Sequence, residues 1–242
     1  MNSVANAYLD ELCQRLSALK NKTAEPVAAA INAIVETVSK DGLVYVFGTG
    51  HSHMLAEEVH YRAGGPAFTV PILASGLMLH EGAIASTAME RNEGVIQPLF
   101  DRYPITSNDV LFVASNSGTN AAPLEAARLG KQIGCTVIAI TSVAYSTASA
   151  KGRKKLADLA DIVIDNGTPP GDAIVQLPGT NLKSGPASTA IGVAIINAIF
   201  AEVAHRLAEQ DEPPIYLSAN MPGAKESNRA LVERYAKRNR HL

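Results

Sequence analysis

The sequence has few cysteines, almost no net charge and no apolar run long enough to cross a membrane. Its two cysteines, Cys13 and Cys135, lie far apart and outside any CxxC pair, so neither a disulfide framework nor a cysteine zinc cluster is indicated. Lys and Arg number 21 and Asp and Glu number 23, and the resulting net charge of −2 gives no global positive field that would hold a nucleic acid. We therefore expect no nucleic-acid partner.

The segment that begins MNSVANAYLDEL lacks the basic start and apolar stretch of a signal peptide. The longest apolar run, Ile191 to Ala201, is shorter than the ~18 residues that a membrane span needs. These features and the scarcity of cysteine predict a soluble, cytoplasmic protein with no membrane partner.

Apolar residues are abundant, at 47% of the 242 residues, and this excludes intrinsic disorder. Short continuous apolar runs alternate with stretches of helical spacing, which is typical of buried parallel strands joined by helices. The runs are Leu43 to Phe47, Phe68 to Leu73, Val110 to Ala114, Thr136 to Ile140 and Asp161 to Ile164. The pattern predicts an α/β fold with a doubly wound parallel sheet.

Helical spacing also occupies both ends of the chain. Two helices are predicted within residues 1–40, a long buried helix from Pro186 to Ala208, and a basic final helix through Arg240. No linker rich in Pro, Gly or Ser and no internal repeat divides the chain. We expect a single domain over residues 1–242, with helical extensions at 1–40 and 213–242.

Two predicted turns follow neighbouring strands at the edge of the sheet where ligands collect in such folds. Gly48-Thr49-Gly50-His51-Ser52 follows the first apolar run, and Ser115-Asn116-Ser117-Gly118-Thr119-Asn120 follows the third. The third glycine of a dinucleotide fingerprint is replaced by His53, so a nicotinamide site is not indicated. Hydroxyl groups and backbone N–H groups at a helix start instead suit a phosphate group. The alternative is that these Ser and Thr residues only cap helices.

The two turns together resemble the phosphosugar-binding pair of the sugar isomerase (SIS) domain family. Within that family the chain is similar to a phosphosugar-binding group, and it shares features with two further branches. Gly179 to Gly185 and the acidic segment Glu90 to Glu93 resemble the N-acetylmuramic acid 6-phosphate etherases, and His80-Glu81-Gly82 resembles the arabinose 5-phosphate isomerases. The resemblance implies a five-stranded parallel sheet flanked by helices and assembly as a homodimer or homotetramer. It also implies a sugar phosphate held at the two turns, by Gly50, Ser52, Ser115, Ser117, Gly118, Thr119 and Asn120.

Aldose–ketose isomerisation needs a carboxylate to move a proton and an acid or ring-opening group beside it. Glu81 and His80 are the first candidates for these catalytic roles, and Glu93 is the second candidate base, each with a solvated turn or helix start as the simpler alternative. His51, Glu57 and Lys183 are candidates for other substrate contacts.

A metal site is permitted but not required by the sequence. His53, Glu57 and His60 share one helical face by their spacing, but histidines on a helix commonly pack or form hydrogen bonds. We expect no metal and no organic cofactor.

These residues predict a protein of carbohydrate metabolism that binds a phosphosugar and isomerises it through an enediolate. Two alternatives stay open. One is a lyase similar to the N-acetylmuramic acid 6-phosphate etherases, with Glu93 as base, and the other is a sensor that binds a sugar phosphate without turning it over.

Overall fold

A computed structural model describes residues 3–209 and 211–242. The strands are β1 (Val44–Gly48), β2 (Thr69–Ile72), β3 (Val110–Ala114), β4 (Thr136–Thr141), β5 (Ile162–Asp165), β6 (Ala173–Gln176) and β7 (Lys183–Pro186). The helices are α1 (Val4–Lys22), α2 (Ala24–Ser39), α3 (Met54–Glu58), α4 (Ala83–Met89), α5 (Gln97–Phe100), α6 (Ala121–Ile133), α7 (Val143–Ala150), α8 (Ser188–Ala208) and α9 (Ala224–Tyr235). Short 3-10 helices cover Gly50–His53, Ser75–Leu77 and Leu156–Asp158.

The first five strands form one parallel sheet in the order β2-β1-β3-β4-β5. Every residue of β1, β2 and β3 is buried, because helices cover both faces of a sheet built from such crossovers. Each of the five strands overlaps one of the apolar runs in the sequence. The predicted fold class, a doubly wound five-stranded parallel sheet flanked by helices, is confirmed.

Helix α8 packs against α2 and α3. Gly192 permits the close approach of α3, since a Cβ at that position would lie 3.0 Å from a methyl carbon of Leu55. By length and composition α8 could cross a membrane, but its buried residues belong to the protein core, and core helices pass the same test. They are Ile191, Gly192, Ile195, Ile196, Ile199, Phe200, Val203 and Leu207.

Several predicted element boundaries are wrong. The last long helix begins at Ser188, because Pro186 belongs to β7, which pairs with β6 in an antiparallel hairpin that the sequence pattern did not indicate. The final helix ends at Tyr235 and not at Arg240. Buried and exposed positions do not alternate along either strand of the hairpin. The sequence there therefore lacks the period of two residues that identifies a half-buried strand.

The segment after α9 folds back onto the sheet. Arg238 forms an ion pair of 2.6 Å with the fully buried carboxylate of Asp109, and the amide of Asn239 donates to the carbonyl of Thr69 at 3.2 Å. Asp109 also accepts from the backbone N–H of Leu43, so one carboxylate joins the start of β1, the approach to β3 and the C-terminal segment. Cys135 is buried in the core beside α6.

Candidate functional site

The two turns lie side by side at the carboxyl edge of the sheet. Strands β1 and β3 are paired in register, with Gly48 opposite Ala114, so the residues after each strand are neighbours. Ser52 from the first turn and Ser115 from the second line one cleft, which the start of α8 closes at Ser188 and Thr189. The cleft holds about 10 Å³, room for about one water molecule, so it is too small to enclose a larger ligand.

The first turn is shaped by two glycines and a histidine. A Cβ at Gly48 would lie 2.4 Å from the carbonyl oxygen of Ser52, so only glycine fits where the chain doubles back. Gly50 has a φ of +55°, and its carbonyl accepts a hydrogen bond from Nδ1–H of the buried His53. In a trans peptide the N–H points opposite to the C=O, so the N–H of His51 is directed away from His53. His51 itself is exposed beside the turn.

The second turn is held rigidly by its own polar groups. The N–H of Gly118 donates to the hydroxyl of Ser115 at 3.1 Å, so this amide is used inside the protein and is not open to a ligand. The Oδ1 atom of Asn116 accepts from Asn166 at 2.9 Å and from Thr168 at 2.8 Å, which ties the turn to the loop after β5. These bonds fix the backbone ahead of α6.

Other donors of the two turns have no partner within residues 3–209 and 211–242. They are the hydroxyls of Ser52, Ser117 and Thr119 and the backbone N–H groups of Ser117, Thr119 and Ala121. The amides lie at the amino end of α6, where unpaired N–H groups and the helix dipole favour an anion. The arrangement is chemically suited to a phosphate group.

Glu90 joins the two turns, a role that its position in the sequence does not indicate. Its carboxylate accepts from the hydroxyl of Thr49 at 2.5 Å and from the side-chain amide of Asn120 at 2.8 Å, and its carbonyl accepts from the N–H of Ala122 at 2.9 Å. The Asn120 amide predicted to hold phosphate thus donates to Glu90 in this structure. The sequence shows only an acidic residue between two strands, and solvated turns often contain such a residue.

The candidate catalytic residues lie in different surroundings. The ring of His80 stands edge-on to the ring of His53, with centroids 6.5 Å apart, so His80 reaches the first turn. The Nε2 atom of His53 lies 3.5 Å from a carboxylate oxygen of Glu57, which places Glu57 in the same group. Glu81 is exposed next to His80 in the loop before α4.

Glu93 and Lys183 lie elsewhere on the surface. Glu93 lines a cavity of about 810 Å³ together with Thr119 and Asn120 of the second turn. Lys183 is exposed at the start of β7, in the hairpin. The hairpin forms a sheet of its own, and within the described part of the chain Lys183 forms no side-chain hydrogen bond or ion pair with the two turns and does not line their cleft.

The helical face that would carry His53, Glu57 and His60 does not form, because α3 ends at Glu58. The ring of His60 instead reaches the carbonyl oxygen of His241 at 3.3 Å, and burial lowers its pKa. Among residues 3–209 and 211–242 no group of three His, Cys, Asp or Glu side chains could hold a metal ion.

Comparison with known proteins agrees with this architecture. The Francisella tularensis phosphoheptose isomerase has a TM-score of 0.57 at 18% identity, over 85% of this chain and 100% of that chain. An Escherichia coli CFT073 protein in complex with A5P has a TM-score of 0.51 at 17% identity, over 87% of this chain and 96% of that chain. At such identities the likeness shows the fold alone.

Sequence similarity shows the family. The UPF0309 protein of Brucella anthropi is 55% identical over 242 residues, which is 100% of both chains. The model of the SIS domain matches residues 7–142, more than half of the chain. The chain therefore belongs to the SIS domain family, among the UPF0309 proteins.

Proposed function

We propose that this protein binds a sugar phosphate at the two turns and isomerises it between aldose and ketose. One observation carries the proposal: the hydroxyls and N–H groups of Ser117 and Thr119, just before α6, are unpaired within the described chain, and so is the hydroxyl of Ser52 in the neighbouring turn. Hydrogen-bond donors at the positive end of a helix bind a phosphate dianion without an arginine.

The isomerisation needs one base and one acid. In the open-chain aldose a carboxylate removes the proton from C2, the C–H electron pair forms the C1–C2 double bond, and the carbonyl electrons move to O1 as an enediolate. The acid protonates O1, its conjugate base then takes the proton from O2, and the protonated carboxyl group returns its proton to C1, so the product is the ketose with no atom gained or lost. We assign the base to Glu81 and the acid or ring-opening role to His80. No organic cofactor takes part in this chemistry.

Two features support these assignments. His80 stands beside His53, whose Nδ1–H holds the carbonyl of Gly50 in the first turn, so His80 is close to the proposed phosphate site. Glu81 is the neighbouring carboxylate, and it lies in a loop, where adjacent side chains can turn toward one ligand. The similar structures agree in class, since one is a phosphoheptose isomerase and another is a complex with A5P.

A lyase similar to the etherases is the second candidate. Glu93 lines the large cavity that adjoins Thr119 and Asn120, so a carboxylate faces a space at the amino end of α6. Such an enzyme would remove a proton next to the sugar carbonyl and expel the ether oxygen from the adjacent carbon. Release of lactate from N-acetylmuramic acid 6-phosphate would favour this reaction over isomerisation.

We further propose that the protein works in the cytoplasm as a homodimer or homotetramer. Exposed apolar side chains on α4 support assembly, since Ile84 is 89% and Met89 is 42% exposed. Light scattering gives the mass of the assembly, and a monomeric mass at micromolar concentration would contradict it.

A thermal-shift panel of aldose, ketose and amino-sugar phosphates tests the binding. A ligand at 100 times its Kd should add about 2.7 kcal/mol to the free energy of unfolding. We expect Ser117→Ala to weaken the best binder about tenfold, because one hydrogen bond to a charged group contributes about 1.5–3 kcal/mol. Ser107→Ala is the matched control, since Ser107 is exposed before β3. Equal loss in both variants would contradict the site.

Solvent deuterium exchange into the best binder then tests turnover. The isomerase should place deuterium on C1 or C2, and Glu81→Gln should abolish the exchange while the Kd stays close to that of the wild type. Exchange that Glu81→Gln leaves unchanged would exclude Glu81 as the base. Binding without any exchange would indicate a sensor.

A further inference from the structure

A cavity lined by several cations adjoins the proposed phosphate site. Its volume of about 810 Å³ lies within the range of about 300–1,000 Å³ that is usual for small-molecule sites. Thr119, Asn120 and Ala121 form one wall, so the end of the second turn and the start of α6 belong to both places. The cationic side chains of the lining are Arg91, Arg128, Arg153 and Lys154.

These cations have no carboxylate partner within residues 3–209 and 211–242, whereas most arginines outside the cavity have one. Six arginines outside the cavity form ion pairs, namely Arg15, Arg62, Arg206, Arg229, Arg234 and Arg238. In the cavity Arg153, which follows α7, donates only to the backbone carbonyls of Ser149 and Ala150 at the end of that helix. Three unpaired arginines and a lysine at one cavity are a concentration of positive charge in a chain whose net charge is −2.

The two carboxylates of the lining do not neutralise this charge. Glu125 accepts hydrogen bonds from the backbone N–H groups of Gly94 at 2.9 Å and Gln97 at 3.2 Å, so it fixes the loop before α5. Glu93 is a single exposed carboxylate. Four cations against two carboxylates leave an excess of positive charge, to which the amino end of α6 adds its dipole.

We infer that the cavity binds a second anionic group of the substrate, so that the protein prefers sugar phosphates that also carry a carboxylate or a second phosphate. The inference rests on the proposed function, because the first phosphate is held by Ser52, Ser117 and Thr119. Guanidinium groups bind carboxylate and phosphate through paired N–H donors, and three of the four cations are arginines. A neutral sugar end would leave these cations solvated and would gain nothing from them.

Three ligands with one carbon skeleton test the inference: glucitol 6-phosphate, gluconate 6-phosphate and glucitol 1,6-bisphosphate. Isothermal titration should give gluconate 6-phosphate or the bisphosphate a Kd at least about tenfold below that of glucitol 6-phosphate. The carboxylate and the second phosphate are thereby distinguished. In Arg91→Gln/Arg128→Gln the ratio should fall to within about twofold of one, and in Arg229→Gln, on α9, it should stay at the wild-type value.

The outcomes separate this inference from the function on which it rests. If the three ligands bind equally well and Ser117→Ala weakens them all, the phosphate site is supported and the second anion site is wrong. If the preference persists in Arg91→Gln/Arg128→Gln with an unchanged circular dichroism spectrum, the cavity is not its source, and the inference is also wrong. If none of the three ligands binds, both proposals fail.

Discussion

Gly118, in the second turn, lies against two buried hydroxyl groups, those of Thr141 on β4 and Ser146 on α7. Its φ is +60°, and a Cβ there would lie 2.6 Å from Oγ of Ser146 and 2.9 Å from Oγ1 of Thr141. Both side chains are fully buried and bonded to each other at 3.0 Å, so neither can move aside easily. The residue combines a left-handed backbone with a lack of space for any side chain.

We expect Gly118→Ala to lower the free energy of unfolding by about 2–5 kcal/mol, from about 1–2 for the left-handed backbone and about 1–3 for overpacking. Gly179→Ala is the control, because Gly179 has a φ of +74° with open space around it and should lose only the backbone part. Urea unfolding monitored by circular dichroism measures both. Equal losses of stability in the two variants would show that Thr141 and Ser146 move to make room for the methyl group at position 118.

At the scale of elements, the turns after β1 and β3 depend on Glu90, which stands between them. The carboxylate accepts from Thr49 and from Asn120, so its two oxygens bridge turns that the chain itself connects only through α3, β2, α4, α5 and β3. We infer that Glu90 acts as a positioning residue for the proposed phosphate site. Since Thr49 can accept as well as donate, glutamine at this position can keep both bonds.

We therefore expect Glu90→Ala to raise the Kd of a sugar phosphate about tenfold or more, which is about 1.4 kcal/mol, and Glu90→Gln to stay within about threefold of the wild type. Isothermal titration with glucitol 6-phosphate gives the Kd, and Glu226→Ala, an exposed position on α9, is the control. Wild-type affinity in Glu90→Ala would show that the turns keep their spacing without the carboxylate.

The turns were predictable from the sequence, but the contacts between them were not. Buried apolar runs are local signals, and the hydroxyl-rich turns follow them directly, so Ser52 and Ser115 could be placed at one edge of the sheet. The hydrogen bonds of Glu90 and of Asn116 join positions that are 30 or more residues apart. The spacing of residues within a short segment cannot reveal contacts over such separations. His60 shows the same limit, because its partner His241 lies at the far end of the chain.

At the scale of the whole molecule, the parallel sheet was predictable because its strands are short and apolar and helical segments separate them along the chain. The hairpin of β6 and β7 was missed since most of its side chains are exposed or half-buried. The C-terminal segment was missed for another reason. Its attachment depends on single polar contacts, such as that of Arg238 with Asp109. The composition and hydrophobic pattern of the sequence do not show which polar residues will pair.

His60 and His241 fasten that segment to the body of the protein. The Nε2–H of His60 donates to the carbonyl of His241, and the hydroxyl of Tyr103 lies 2.9 Å from Nε2 of His241. Burial lowers the pKa of both histidines, and for His241 the nearby His60, Arg240 and Arg102 lower the pKa further. The folded protein therefore favours the neutral form of both rings.

A lowered pKa in the folded state means that the unfolded chain binds more protons as the pH falls below the ordinary histidine value of about 6.5. The contribution of the two histidines to stability should thus be complete above about pH 6.5 and should decline as the pH falls toward the lowered values. Urea unfolding between about pH 8 and about pH 5.5 measures this decline, and His60→Gln/His241→Gln should show a smaller one, since its side chains do not titrate. A decline of equal size in the double variant would assign the pH dependence to other groups and leave the two histidines without a role in it.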